Sequence, residues 1–334
     1  MNHTPRIHGG SDGQGAPLYD FSTNSNACGP CPHALVAVQQ ADATRYPDPS
    51  YTDLCHRLSD FYGVASARIV LAASASEFIF RITAWARQQG AQTVDLPVHA
   101  YGDYAHAAQA WGLRSAAESE TADLVWACEP SSPLGKNHGV WPAWMGGGEA
   151  LAAGKGQVIV VDCAYAPLRL DGTPSQGDAQ RQQVWQLFSP NKALGLTGVR
   201  AAFAIAPVGA EAAVAQMDAL APSWVLGAHG VAMLRAWTQA ETQSWLRSSL
   251  DTLRGWKERQ IRLLQDAGWT VQPSATPFFC ARPPAGMDAA ALCVRLRGQG
   301  IKLRDAASFG LPGWVRLGVL VPHAQDVLLA ALRK

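Results

Sequence analysis

The sequence lacks an excess of charge of either sign and has no long hydrophobic run. Its 334 residues include 27 Lys and Arg against 26 Asp and Glu, a net charge of +1, and the basic residues form no stripe. Electrostatic binding to nucleic acids needs such a stripe, so we expect no nucleic-acid partner. No stretch reaches the roughly 18 apolar residues that a membrane span needs, and the polar, glycine-rich start does not resemble a secretory signal. We therefore expect a cytoplasmic protein that contacts no membrane.

Cysteines in the spacing of disulfide frameworks or metal sites are also missing. The seven cysteines are odd in number and scattered, which is typical of reduced thiols. None combines with histidine in the spacing of a zinc site, so we expect no metal. Cys28 and Cys31 do form Cys-Gly-Pro-Cys, the thioredoxin-type redox motif. That motif normally follows a strand, whereas here it follows a turn-rich segment, and we interpret it as a chance occurrence.

Apolar segments of strand length alternate with helical segments from residue 68 to residue 207. This alternation predicts an α/β fold with a mostly parallel sheet and helices on both faces. In such sheets, ligands bind beyond the carboxyl ends of the strands. Residues just after the predicted strands are therefore candidates for one shared site: Tyr101, Ser132, Asp162, Tyr165, Ser189 and Lys192.

The stretch over residues 184–206 is the most informative part of the chain. A break, Ser189-Pro190-Asn191-Lys192, separates two apolar segments that we predict to be buried strands. Lys192 is thus held between two strands, with Arg200 eight residues later. Desolvation makes an amine a nucleophile towards carbonyl groups, and the serine and arginine can bind an anion. The alternative is an exposed lysine in a loop between strands.

The longer string Ser-x-x-Lys-x-x-Gly-Leu-x-Gly-x-Arg over 189–200 resembles the lysine segment of the class I and II aminotransferase family. These are fold-type-I enzymes that depend on pyridoxal 5'-phosphate (PLP). The resemblance covers nearly the whole chain and implies that Lys192 forms a Schiff base with PLP. It also implies that Ser189 and Arg200 bind the cofactor phosphate, a task that suits the planar guanidinium.

Further residues gain roles from the same resemblance. Asp162, in Asp-Cys-Ala-Tyr, resembles the aspartate that faces the ring nitrogen, and Tyr165 resembles the tyrosine that reaches the phenolic oxygen. Tyr101 resembles the aromatic residue that stacks on the ring. The alternatives are a turn cap for the aspartate and core packing for Tyr101. At Ala75 and Ser76, a strand-to-helix turn leaves backbone N–H groups free for a phosphate.

Two residues extend the predicted site, and a third departs from the family pattern. Tyr46, in Arg-Tyr-Pro-Asp, resembles the tyrosine that reaches the phosphate in the neighbouring subunit, which implies a homodimer; a surface turn is the alternative. Arg316 resembles the arginine that binds the substrate α-carboxylate, although an exposed strand arginine is the alternative. Ser132 stands where the family has a cofactor-contacting asparagine, and its hydroxyl has a shorter reach.

The N-terminal segment carries the signal for a subgroup. A His-Gly-Gly motif at His8, followed by Asp-Phe-Ser-x-Asn-x-Asn-x-x-Gly-Pro over 20–30, is similar to the L-threonine-O-3-phosphate decarboxylases of cobalamin biosynthesis. This resemblance implies decarboxylation of a phosphorylated amino acid, L-threonine phosphate, to (R)-1-amino-2-propanol phosphate. We hypothesise that His8, Asn24 and Arg304 bind the phosphate or carboxylate of that substrate.

Two alternative functions and a domain division complete the predictions. The alternatives are an aminotransferase similar to histidinol-phosphate aminotransferases, and a non-catalytic protein with the same fold. We expect an N-terminal arm over 1–44, a large PLP-binding domain over 45–225 and a small C-terminal domain over 226–334. The arm is expected to cover the active site and shield it from water.

Overall fold

A seven-stranded sheet lies at the centre of the structure, a computed structural model that describes residues 8–118, 120–139, 141 and 157–333. The first seven residues of the predicted arm therefore lie outside the described residues.

The strands of all three sheets, in chain order, are β1 (Tyr19–Asp20), β2 (Ile69–Ala72), β3 (Thr93–Asp95), β4 (Arg114–Ser115), β5 (Leu124–Cys128), β6 (Val158–Asp162), β7 (Trp185–Phe188), β8 (Ala202–Ile205), β9 (Thr270–Val271), β10 (Phe278–Arg282), β11 (Ile301–Lys302), β12 (Arg304–Asp305) and β13 (Val315–Gly318). The α-helices are α1 (Pro32–Gln39), α2 (Thr52–Tyr62), α3 (Ala75–Gln88), α4 (Gly102–Ala110), α5 (Asp178–Arg181), α6 (Glu211–Ala219), α7 (Ala228–Trp237), α8 (Ala240–Asp266), α9 (Ala289–Arg297) and α10 (Pro322–Leu332).

The central sheet is mostly parallel, and this confirms the predicted α/β class. Its strand order is β2-β8-β7-β6-β5-β3-β4. The pairs from β7 through β4 are parallel, while β8 runs antiparallel to both of its neighbours. Because β5, β6 and β7 are adjacent and parallel, their carboxyl ends meet at one edge of the sheet.

Both faces of the central sheet are buried, which explains why its strands are apolar throughout. Side chains alternate between two cores along each strand. In β6, Val160 packs into a core with α3, α4 and α6, whereas Val161 packs into a core that α1, α2, α7 and α8 cover. The second core continues to the small four-stranded sheet, where it includes Phe278 and Leu317. The two sheets therefore share one hydrophobic interior.

The small sheet is antiparallel, in the order β12-β13-β10-β9, and α9 and α10 lie in the same part of the chain. A separate two-stranded parallel pair joins β1, in the N-terminal segment, to β11. This pair places Tyr19 and Asp20 beside the strand that directly precedes β12 of the small sheet. The domain division at residue 225 falls between α6 and α7 and stays a prediction.

The apolar spacing over residues 229–268 predicts one continuous helical region, whereas the structure has two helices, α7 and α8, separated at Thr238 and Gln239. Side chains satisfy the carbonyl groups at the end of α7. The Thr238 hydroxyl donates to the Arg235 carbonyl at 2.9 Å, and the Gln243 amide donates to the Trp237 carbonyl at 2.6 Å. Such local hydrogen bonds compete with helix continuation and end α7 without a glycine or proline. No helix of the described residues is both long and apolar enough to cross a bilayer.

Candidate active site

A buried carboxylate, Asp162, marks the carboxyl edge of the central sheet. It is the last residue of β6 and is 5% exposed. One carboxylate oxygen accepts a hydrogen bond from the Tyr104 hydroxyl at 2.7 Å, and the other accepts from the Ala164 backbone N–H at 2.9 Å. Within the described residues, Asp162 forms no salt bridge. The site thus holds a buried negative charge with neutral donors, which can pair with a cationic group of a ligand.

The lysine loop follows the neighbouring strand β7. Lys192 is half-buried, and its Nζ lies 5.5 Å from the centre of the Tyr165 ring. Gly195 has a φ of +69°, a conformation that favours glycine, and a Cβ there would lie 3.0 Å from the Gly29 Cα. The loop therefore turns tightly against the N-terminal segment and directs the lysine towards Tyr165.

Three residues of the predicted phosphate site, Ser189, Ala75 and Ser76, are buried or half-buried. Ser189 is 5% exposed, and its hydroxyl has no hydrogen-bond partner among the residues that the structure describes, so it remains available to an anion. Ala75 and Ser76 form the first turn of α3, which begins after Ser74, whose hydroxyl caps the Glu77 N–H at 3.1 Å. The Ser76 hydroxyl lies 3.2 Å from the Tyr101 hydroxyl.

Arg200 and Tyr46, two further residues of the predicted phosphate site, are exposed. Tyr46 is 78% exposed and stacks on Trp224, with ring centres 4.4 Å apart and an interplanar angle of 27°. The Trp224 indole N–H donates to the Pro47 carbonyl at 3.0 Å. These contacts hold Tyr46 at the protein surface.

Tyr165 connects the sheet edge to the N-terminal segment. The side-chain amide of Asn24 donates to the Tyr165 hydroxyl at 3.2 Å, and this contact is buried. The Asn24 carbonyl oxygen is also buried and has no hydrogen-bond partner. The Tyr165 ring packs edge-on against Phe278, with centres 4.7 Å apart. Asn24 therefore places an N–H donor and a carbonyl acceptor beside Tyr165, the residue that is predicted to reach the phenolic oxygen of the cofactor.

Arg316 lies on β13 and is buried, with 7% of its surface exposed. Its two terminal nitrogens donate to the Ser132 hydroxyl at 3.1 Å and to the Ser22 carbonyl at 2.7 Å, while Nε has no partner. Burial lowers the pKa of the guanidinium, and nearby Tyr165 opposes that shift. The contact with Ser132 shows where that hydroxyl points: towards Arg316.

Arg304 stands directly opposite Arg316 in the antiparallel pairing of β12 and β13. It donates to the Asp305 carbonyl and to the Ser308 hydroxyl, both at 2.7 Å. Burial, together with repulsion from Arg316, lowers the pKa of Arg304 to about 10. The Phe309 ring lies between the two guanidinium groups, 4.7 Å from Arg304 and 5.3 Å from Arg316. The guanidinium groups of Arg304 and Arg316 thus both pack against the same aromatic ring.

The N-terminal arm reaches the site through its backbone as well as through Asn24. His8 lies near Tyr101, with ring centres 6.0 Å apart. Gly9 approaches the Ser22 carbonyl so closely that a Cβ would lie 2.2 Å from the oxygen. The backbone N–H of Asn26 donates to the Lys192 carbonyl at 2.9 Å. The arm therefore contacts the lysine loop directly.

The Cys-Gly-Pro-Cys motif opens a helix but shows no redox pairing. Both cysteines are free, and Cys31 is the residue that precedes α1. Burial raises the pKa of the Cys28 thiol to about 11, the opposite of the shift found in redox-active cysteines. Across the described residues, no group of three or more His, Cys, Asp or Glu side chains forms a metal-binding cluster.

Tyr104 is the residue of this site that the sequence analysis missed. It is fully buried in the first turn of α4, three residues after Tyr101, which is the residue that precedes the helix. The spacing in Tyr-Gly-Asp-Tyr was the available signal, but a contact with Asp162 depends on how α4 packs against the sheet.

Comparison with known proteins identifies the family. The family model for aminotransferase class I and II matches residues 110–332. The chain belongs to the class I and II aminotransferase family. A histidinol-phosphate aminotransferase of Pseudomonas entomophila is 26% identical over 332 residues, covering 95% of this chain and 93% of the relative.

Solved structures of this family share the fold. Histidinol-phosphate aminotransferase from Sinorhizobium meliloti, in complex with pyridoxal-5'-phosphate, superposes with a TM-score of 0.78 at 24% identity, over 96% of this chain and 90% of that one. L-threonine-O-3-phosphate decarboxylase from Porphyromonas gingivalis gives a TM-score of 0.76 at 19% identity, over 95% and 98% of the two chains. The protein is a PLP-dependent enzyme of the aminotransferase family, with the fold-type-I architecture.

The site fits PLP in its donor set. The buried charge of Asp162 matches a protonated ring nitrogen. The unpartnered Ser189 hydroxyl and the first turn of α3 can accept a phosphate. Lys192 and Tyr165 lie next to each other, as an aldehyde and its neighbouring phenolic oxygen require. Each functional group of the cofactor thus has a chemically complementary residue.

Proposed function

We propose that this enzyme decarboxylates L-threonine O-3-phosphate to (R)-1-amino-2-propanol phosphate, a step of cobalamin biosynthesis. One observation carries the proposal: the arm is hydrogen-bonded into the site, through Asn24 to Tyr165 and through the Ser22 carbonyl to Arg316. The arm is also the segment whose motif is similar to the decarboxylase subgroup. An arm held this way can bind a phosphorylated amino acid and exclude water from the reacting carbon.

The cofactor roles follow from the placement of the side chains. PLP supplies an electron sink for the bond that breaks. We assign Lys192 to cofactor attachment, Asp162 to the ring nitrogen and Tyr165 to the phenolic oxygen. Tyr101 is assigned to the ring face.

The phosphate of the cofactor is assigned to a separate group of residues: Ala75, Ser76, Ser189 and Arg200, with Tyr46 of a second subunit. This last role makes the enzyme a homodimer, which we place in the cytoplasm. Ser132 contacts Arg316 in the structure, so we assign it to orienting that arginine together with the cofactor oxygen.

The substrate roles fall to residues of the arm and of the small sheet. Arg316 binds the α-carboxylate, and Arg304, His8 and Asn24 bind the phosphate or the carboxylate of the substrate. In the reaction the bond from Cα to the carboxylate breaks, CO2 leaves, and a proton takes its place on Cα. Lys192 Nζ is the group positioned to deliver that proton. The product retains its amine and phosphate, so no second substrate is needed.

An aminotransferase is the second candidate, and the names of the relatives favour it. The curated relatives in the comparison are histidinol-phosphate aminotransferases at 23–27% identity. The two reactions differ in which bond at Cα stands perpendicular to the cofactor ring. A decarboxylase holds the carboxylate there and a transaminase holds the hydrogen there. The orientation of the bonds at Cα depends on how Arg316 and the arm bind the substrate.

A paired assay on PLP-loaded protein tests the proposal. One sample receives L-threonine phosphate alone and is followed for CO2. The other also receives 2-oxoglutarate and is followed for glutamate. CO2 without glutamate is the expected result, whereas glutamate without CO2 would replace the decarboxylase by the aminotransferase. A protein that binds PLP yet forms neither product, with L-threonine phosphate or with histidinol phosphate, would be the non-catalytic alternative.

A further inference from the structure

Tyr104 is locked in place by packing on every side. It is fully buried, and its ring stacks on Trp126 with centres 4.5 Å apart and an interplanar angle of 11°. Tyr101 packs edge-on against it, with centres 5.8 Å apart. The hydroxyl donates to Asp162 at 2.7 Å. A side chain held this rigidly can fix the orientation of the group that it contacts.

Asp162 needs such fixing because its terminal torsion is soft. The carboxylate of an aspartate rotates over a broad range unless hydrogen bonds hold its plane. The Ala164 N–H holds one oxygen at 2.9 Å and Tyr104 holds the other. Two anchors, one on each oxygen, define the plane and leave lone pairs free to receive the N–H of a ligand.

The donors around the carboxylate are neutral. Burial, reinforced by the charge of Asp162, raises the pKa of Tyr104 well above its usual value, so its hydroxyl keeps the proton. The same two causes raise the pKa of the flanking Cys128 and Cys163 thiols. A lysine or arginine in the place of Tyr104 would neutralise the carboxylate, whereas a phenol orients it and leaves its charge available to a cationic ring.

We propose that Tyr104 is a positioning residue for cofactor binding: it acts through Asp162 by holding the carboxylate in the plane that receives the ring nitrogen of PLP. This inference rests on the proposed role of Asp162. It assigns to Tyr104 no direct contact with cofactor or substrate, and it predicts that the tyrosine loses its effect when Asp162 cannot carry a charge.

The test compares PLP affinity in four forms of the full-length protein: wild type, Tyr104→Phe, Asp162→Asn and the double variant. The phenylalanine keeps the ring on Trp126 and removes only the hydroxyl. We expect Tyr104→Phe to raise the dissociation constant of PLP about tenfold, or about 1.4 kcal/mol. In the Asp162→Asn background the same substitution should change it less than twofold, because the pair acts as a unit.

Tyr62→Phe is the matched control. Its side chain is partly buried, and its hydroxyl accepts a hydrogen bond from the Trp237 indole at 3.1 Å, in the core on the other face of the sheet. We expect the control to lower the melting temperature of the apo-protein as much as Tyr104→Phe does, yet to leave PLP affinity within twofold. This separates a positioning role from a general loss of stability.

Three results would overturn the inference. Tyr104→Phe with wild-type PLP affinity, or with the same loss in both backgrounds, would show that the tyrosine does not act through Asp162. An Asp162→Asn variant that binds PLP normally would instead contradict the proposed role of Asp162 itself. Should Tyr104→Phe fail to fold, Trp126→Phe reduces the surface on which Tyr104 stacks and keeps the Tyr104 hydroxyl. We expect a loss of about threefold, again only when Asp162 is present.

Discussion

Two groups of residues meet in this site, and they differ in how well they are satisfied within the chain. The sheet-edge group consists of residues at strand ends: Asp162, Tyr165, Ser189 and Lys192. The arm-side group combines residues of the arm and the small sheet: Ser22, Asn24, Ser132, Arg304 and Arg316. In the first group, the Ser189 hydroxyl has no hydrogen-bond partner and the Asp162 carboxylate has no salt bridge among the described residues. In the second group, both guanidinium groups already donate to oxygens of the protein.

This difference indicates two modes of ligand binding. Among the described residues, the buried Ser189 hydroxyl has no partner and the buried Asp162 carboxylate has no counter-charge, so a ligand can bind both without displacing a protein group. Arg316 already uses one N–H on Ser132 and one on Ser22, and its Nε–H and remaining N–H groups are left for a carboxylate. The cofactor is therefore expected to bind residues without protein partners, while the substrate shares Arg316 with the arm.

The largest effect is expected at the sheet edge, from Lys192→Ala. Without its amine the protein cannot attach PLP covalently or deliver a proton, and activity should fall at least about a thousandfold. The visible absorbance of the PLP-loaded protein should disappear as well. The exposed Lys136→Ala variant is the control and should keep both. Normal turnover by Lys192→Ala would remove this lysine from the proposed mechanism.

A smaller but still large effect is expected on the arm side, from Arg316→Lys. Lysine keeps the charge but cannot form the bidentate pair with a carboxylate, so kcat/KM should fall about a hundredfold. Binding of PLP should change less than twofold, because Arg316 belongs to the other group. Arg282→Lys, on the adjacent strand β10 and exposed, is the control. A loss of PLP affinity equal to the loss of kcat/KM would remove the distinction between the two groups.

Asn26→Ala tests whether the arm is part of the folded core. Its side-chain amide donates to the Ala193 carbonyl at 3.0 Å and to the Ser249 hydroxyl at 2.7 Å, and both contacts are buried. Removing it leaves these oxygens unsatisfied and should lower the free energy of unfolding by about 2 kcal/mol, measured by urea denaturation. Asn137→Ala, at an exposed asparagine, should cost under about 0.5 kcal/mol. Equal stability of both variants would indicate an arm that is only loosely attached.

The smallest effect is expected from Cys28, whose thiol donates to the Ser249 carbonyl. Because burial raises the pKa of this thiol to about 11, its thiolate is scarce at neutral pH. Alkylation by iodoacetamide, followed on the Cys28 peptide by mass spectrometry, should accelerate about tenfold per pH unit from pH 7 to near 11. Cys28→Ser should retain activity within twofold. Rapid alkylation at pH 7 would reopen a redox role.

The sheet-edge group could be predicted because each of its residues lies at or just after the end of a strand in the sequence. A parallel sheet collects strand ends at one edge, so Asp162 and Lys192 could be assigned to a common site from the chain order of strands. The hydroxyl of Tyr104 could not, since its contact with Asp162 depends on the packing of α4. The break between α7 and α8 was missed because Gln243 and Thr238 satisfy the carbonyls without any glycine or proline.

The arm-side group was less predictable because its contacts join distant parts of the sequence. The arm was expected to be irregular and near the site, and its motif singled out Asn24. Nothing in the motif indicates that the Ser22 carbonyl accepts from Arg316 or that Cys31 donates to the Leu194 carbonyl. Those partners are set by the docking of the arm on the lysine loop, which only the folded chain provides.

The bond between Ser22 and Arg316 also has a consequence for biosynthesis. The two residues are 294 positions apart, so the arm emerges from the ribosome long before its partner exists. At translation rates of about 5–20 residues per second, this delay is on the order of 15 to 60 seconds. During that time the arm must remain soluble without its final contacts. The arm is rich in serine, threonine, asparagine and glycine, so it exposes little apolar surface that could associate before its partner is synthesised.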